Sequence, residues 1–111
     1  MEIQRNGLNG SVNPSSHVVT VYNDEMSPIF ERGDRLVLRE IKKPYKLIFG
    51  KPVVVLTIGG TALIRYIYEN PTNANGYILL TTNKRLPPMY IEASEIASIY
   101  RIVGRFVQYE M

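Results

Sequence analysis

Apolar and polar residues alternate in short blocks along most of this chain, and the blocks read as strands. From His17 the run HVVTVY is rich in β-branched and aromatic residues and predicts a first strand. In DRLVLREI, Leu36 and Leu38 fall on one face and Arg35, Val37 and Arg39 on the other. PVVVLTI and TALIRYIY flank Gly59-Gly60, which predicts a hairpin with a tight two-residue turn. YILLTT is a further strand, and IYRIVGRFVQY closes the chain as a long one with Gly104 as its expected bulge.

Punctuation separates these blocks. In MSPIFERGD, Ser27 is placed to cap a short helical turn, Pro28 suits its first position, and Gly33 can end it with positive φ. KKPYKLIFGK and ENPTNANG read as loops, NKRLPP breaks the ladder at Pro87-Pro88, and EASEIAS has room for one helical turn. Six or so strands with almost no helix predict a mainly β domain, a strongly bent sheet or partial barrel. Residues 1–16 differ: Asn, Gly, Ser and Pro fill nine of the sixteen places without hydrophobic period. They are expected to be a flexible leader or linker, with residues 17–111 forming the domain.

Composition narrows the class. At 111 residues and 45% hydrophobic, the chain fits one small globular domain. With no Cys it has neither a disulfide scaffold nor thiolate zinc sites, and the cytoplasm is the simplest compartment. No apolar run approaches the roughly 20 residues needed to span a bilayer, so no membrane association is expected. The thirteen basic residues are interleaved with ten acidic ones, for a net charge of +3. A nucleic-acid surface more often shows a concentrated patch.

The order of motifs then becomes informative. A strand leads into YNDEMSPIFERGDRLVL, a hairpin carries LIRYI on its second arm, and LLTTNKRLPPMYI and IVGRFV follow. Over residues 18–108 this resembles the C-terminal domain of LexA-like repressors, the peptidase family S24 that includes phage repressors and the UmuD-type polymerase subunit. There the first motif usually reads G-D-S-M-x-P followed by G-D. The second is V-K-R, the third S-x-N with a YPP-like stretch, and a GRV strand ends the domain. The resemblance implies a bent sheet or partial barrel of the LexA and signal-peptidase type.

Family members cut a peptide bond in their own linker with a Ser–Lys pair, which needs a hydroxyl nucleophile and a lysine desolvated enough to be neutral. Laid on the motif, the nucleophile position falls on Glu25 and the base position on Ile64. Ile64 cannot accept a proton, Arg65 stays protonated, and Ser27 is better placed as a cap. The chain is therefore expected not to be an enzyme but a pseudo-peptidase, with Glu25 exposed or paired with a cation, because a buried unpaired carboxylate is costly. Where the family commonly cleaves at Ala-Gly or Cys-Gly, the leader offers only Asn6-Gly7 and Asn9-Gly10.

The resemblance further implies a homodimer formed through the C-terminal strand, here Arg105, Phe106, Val107, Gln108 and Tyr109. It also implies DNA bound through an upstream helix-turn-helix domain, so that the chain serves a transcriptional regulator. No cofactor and no metal are expected. Two other readings stay open: an active self-cleaving Ser–Lys peptidase, and a small β-barrel binding single-stranded nucleic acid through its eight tyrosines. Plainer readings accompany the remaining candidates. His17 is a linker-edge histidine, Asp24 with Glu25 a solvated turn, and Lys42, Lys43 and Lys46 a solvated loop. Asn83, Pro87 and Pro88 shape a loop that borders the cleavage groove in the family.

Overall fold

The computed structural model describes residues 3–5 and 16–106. Its strands are β1 (Ile3–Arg5), β2 (Ser16–Thr20), β3 (Arg35–Ile41), β4 (Pro52–Thr57), β5 (Ala62–Glu69), β6 (Gly76–Leu80), β7 (Met89–Glu92) and β8 (Ile96–Phe106). They form one open sheet in the order β1-β2-β3-β8-β4-β5-β6-β7, with every pairing antiparallel. The mainly β, bent-sheet expectation holds.

The closing strand lies in the middle of the sheet, between β3 and β4. Its bulge appears where expected: Val37 pairs with Gly104 and Leu38 with Ile102, leaving Val103 as the extra residue. Gly104 also sits tight against the Val37 side chain, where an added Cβ would lie 3.4 Å from Val37 Cβ.

Period-two alternation sends neighbouring residues into two separate cores. Val54, Ala62, Ile64 and Tyr100 join Val19, Val21, Met26, Phe30, Leu36 and Leu38 in one cluster. Val53, Val55, Ile67 and Ile99 join Ile48, Leu79 and Ile91 in the other. Because Val54 goes to the first and its neighbours Val53 and Val55 to the second, the clusters occupy opposite faces of the sheet. Each is covered by a connection: the turns of residues 23–30 over one, and a 3-10 turn at Tyr45–Ile48 over the other.

Several local expectations change. Ile3–Arg5, within the expected leader, pairs with β2, Ile3 opposite Val19 and Arg5 opposite His17. The intervening residues 6–15 lie outside the described residues, as do Val107, Gln108 and Tyr109. The β4–β5 hairpin is not a two-residue turn. Gly60 N donates to Thr57 O at 3.0 Å and Thr57 N to Thr61 O at 2.9 Å, with Gly60 left-handed at φ 92°. This is the three-residue loop in which a turn is followed by one left-handed glycine. Ser27 caps no helix: residues 23–30 form successive turns, and its hydroxyl lies 2.8 Å from Glu31 Oε1. Gly33 does end that region with positive φ, 95°. The short edge strand β7 was hidden by the proline pair before it, and EASEIAS supplies one 3-10 turn at Ala93–Glu95.

Candidate functional site: a Glu25–Arg65 pair at a proline-walled groove

The segment after β2 leaves and re-enters the sheet at one place. Val21 N donates to Asp34 O and Gly33 N to Val21 O, both at 2.8 Å, closing the base of the loop. Met26 and Phe30 anchor it by filling the first core. Asn23 Oδ1 accepts the Glu25 N–H at 3.1 Å, an Asx turn that sets the backbone at Glu25. From the far side, the Thr82 hydroxyl lies 2.6 Å from Ser27 O and 3.1 Å from Glu25 O, tying the turn to the end of β6.

Buried Met26 faces the core while its neighbour Glu25 reaches toward β5. Glu25 Oε2 lies 3.2 Å from Arg65 Nη2. The two side chains are unequally buried, with 8% of Arg65 exposed against 33% of Glu25. Arg65 Nη1 donates to Ile64 O at 2.9 Å, so the guanidinium is held at both ends. The expectation that Glu25 is exposed or paired with a cation is met by pairing.

Ile64 is not the residue that meets Glu25. Its side chain is buried in the first core with Met26, Val54 and Ala62, on the face of β5 that the 23–30 turn covers. Arg65 stands opposite Val53 and so starts from the second-core face of β5, yet its long side chain reaches both Ile64 O and Glu25 Oε2. The apolar face of Ala62, Ile64 and Tyr66 that the sequence pattern shows is packed into that core.

Glu25 and Arg65 open onto a groove of about 290 Å³, walled by Thr81, Leu86, Pro87, Pro88 and Met89. Pro87 and Pro88 thus border the groove, while Asn83 shapes the loop behind it. Asn83 O accepts from Leu86 N at 3.0 Å and its Oδ1 from Arg85 N at 3.0 Å. As a pair, Glu25 and Arg65 offer a carboxylate acceptor and a permanently charged donor. Neither is a hydroxyl nucleophile, and the guanidinium is no proton acceptor.

Other candidates lie elsewhere. His17 lies in β2, where the first-strand reading placed it, its ring edge-on to Tyr100 at 5.1 Å. Asp24 turns away from Glu25 to an exposed pair with Arg32 at 3.1 Å. Among the described residues no group of three or more His, Cys, Asp or Glu side chains is gathered to hold a metal, and no helix is long and apolar enough to cross a membrane. Lys42 pairs with Glu40 at 2.8 Å. Sequence reading missed Arg105 as a support for the turn: its guanidinium contacts Asp34 Oδ2 at 2.9 Å and Ile29 O at 2.8 Å.

An open antiparallel sheet, a closed turn delivering one side chain to the hairpin, and a proline-walled groove beside them define a LexA-type peptidase-like β domain. A family model for Peptidase S24-like proteins matches residues 5–107, and the chain belongs to that family. Comparison with curated proteins found no match.

Proposed function

We propose that this chain is a non-catalytic S24-like domain of a LexA or phage-repressor type of transcriptional regulator, acting in the cytoplasm. In this reading it dimerises and so pairs two upstream helix-turn-helix DNA-binding domains on adjacent half-sites. The observation that carries the reading is that Glu25, at the expected nucleophile position, is ion-paired with Arg65, while the expected base position, Ile64, is a buried apolar side chain. A guanidinium bound to a carboxylate and to Ile64 O takes no proton from a nucleophile.

The degenerate positions in this reading are Glu25 and Ile64, with Arg65 beside Ile64 pairing the carboxylate. The direct test is to hold the chain, extended by its natural upstream sequence, at alkaline pH and weigh it by mass spectrometry. An intact mass supports the reading, and fragments that persist in Glu25→Gln would make the chain a peptidase acting through other residues.

Dimerisation through the closing strand is supported by an open edge. β4 pairs with β8 only from Ile96 to Arg101, so Ile102–Phe106 has a strand partner on the β3 side alone among the described residues. Val103 and Phe106 are exposed there, as a pairing edge requires. Val107→Pro is expected to leave the fold intact and give monomers in sedimentation; unchanged dimers would rule out this contact. Bivalency is the physical gain, since one bound head raises the local concentration of the other.

A further inference from the structure

The fold gathers cations that are scattered in the sequence. Arg39 on β3 stands directly opposite Arg101 on β8, and Arg101 stands opposite Val53 on β4. Directly opposed antiparallel residues have Cα atoms about 5 Å apart, and like charges so placed repel. Neither arginine has an ion pair among the described residues, nor has Lys51. Arg101 shares its face with Val53, and hence with the second core.

Beside Arg101 the loop that follows β3 folds back and encloses a pocket of about 460 Å³. Its walls are Ile41, Lys42, Pro44, Ile48, Lys51 and Arg101. Among the described residues three cations and three apolar side chains line it, with no carboxylate among them. Glu40 neutralises Lys42 from outside at 2.8 Å, which leaves Lys51 and Arg101 uncompensated. The volume falls within the roughly 300–1,000 Å³ of small-molecule sites, which likewise combine apolar walls with a few convergent polar groups.

We propose that this pocket binds a small amphipathic anion, a phosphate or carboxylate head held by Arg101 and Lys51 with an apolar body against Ile41, Pro44 and Ile48. The guanidinium fork suits either head group through two parallel charge-assisted hydrogen bonds. An anion there also relieves the repulsion between Arg39 and Arg101. The site is separate from the Glu25–Arg65 groove, and no described residue lines both. It does not depend on the regulator reading.

The test uses the full chain at low salt, with phenyl phosphate, benzoate, inorganic phosphate and a short DNA duplex as probes. Binding is followed by calorimetry and by backbone amide chemical shifts. Phenyl phosphate, benzoate or both should saturate one site, bind more tightly than inorganic phosphate, and move the amides of Ile41, Ile48 and Arg101. Which head binds more tightly identifies phosphate or carboxylate as the natural one. Arg101→Gln and Lys51→Gln should each weaken binding by about tenfold or more, as loss of a charge-assisted contact does. Lys84→Gln should leave it unchanged. Should a variant not fold, the shift map of the unaltered chain decides alone. Shifts centred elsewhere, no saturable binding by either organic probe, or wild-type affinity in both glutamine variants would overturn the proposal. So would a duplex that binds at these residues where the small anions do not, since the patch would then be a nucleic-acid face.

Discussion

Arg105 Nη2 lies 2.9 Å from Asp34 Oδ2, and the carboxylate it meets is almost wholly buried. The same oxygen of Asp34 accepts the Glu31 N–H at 2.9 Å, and the guanidinium stacks over the Phe30 ring at 5.7 Å. One arginine on the closing strand therefore holds the back of the turn that carries Glu25. Arg105→Ala removes the cation and leaves Asp34 buried, which should cost about 2–3 kcal/mol, below the range for fully buried pairs because Arg105 is partly exposed. Urea denaturation measures it. Arg105→Lys should recover part of the loss by restoring charge without the fork.

The Glu25–Arg65 pair should respond unequally to its two deletions. Glu25→Ala strands a guanidinium that is only 8% exposed, and is expected to cost about 2–3 kcal/mol. Arg65→Met fills the same space with an apolar chain and leaves a carboxylate that can turn to water, so about 1 kcal/mol or less is expected. Equal losses in paired denaturation curves would show that the burial asymmetry has no energetic consequence.

Among the described residues Gly76 makes the tightest glycine contact. A Cβ there would sit 2.8 Å from Asn73 Nδ2 and 3.0 Å from Ile91 O on β7. Asn73 is not free to withdraw without cost, since its amide donates to Glu92 Oε1 at 2.8 Å. Gly76→Ala should destabilise by about 1–3 kcal/mol through overpacking. The loss should concentrate at the β6–β7 edge, visible as faster amide exchange of Tyr77 and Ile91.

Stability should fall on the alkaline side. Burial raises the pKa of Tyr45 above the ordinary value, with the nearby Tyr77 and Glu40 adding to it and Lys42 opposing. The Lys42 ammonium is also held above its ordinary value, chiefly by its hydrogen bond to Glu40 and by that carboxylate's charge. In both cases the folded state keeps its proton longer than the unfolded chain. Stability is thus fully present below the ordinary tyrosine and lysine values, about 10 to 10.4, and is lost as pH rises through the raised folded values. Tyr45→Phe should flatten part of this alkaline decline in pH-resolved denaturation, while curves that superimpose on the parent's would show that Tyr45 contributes none of it.

Most of the architecture was legible from residue pattern. Blocks such as Val53–Leu56 and Ala62–Ile67 are long, β-branched and bounded by glycine, so each announces a strand without help from its neighbours. Gly104 announced its bulge for a similarly local reason. What escaped were elements without a local signature. β1 is three residues of mixed polarity and β7 four residues behind two prolines, and both become strands only because an existing edge pairs with them. Ser27 had the composition of a cap, but the turns around it left no helix to cap.

The site divides the same way. Sequence alone determined the mainly β class, the turn at Glu25, the proline loop and the family motif order, because each is written in contiguous residues. Tertiary structure decided that Arg65 reaches Glu25, that Arg105 braces Asp34, and that Arg39 and Arg101 stand side by side. Those relationships depend on where the 23–30 turn packs against β5 and on β8 entering between β3 and β4. A sheet joins residues distant in the chain through register, and no local propensity specifies that register.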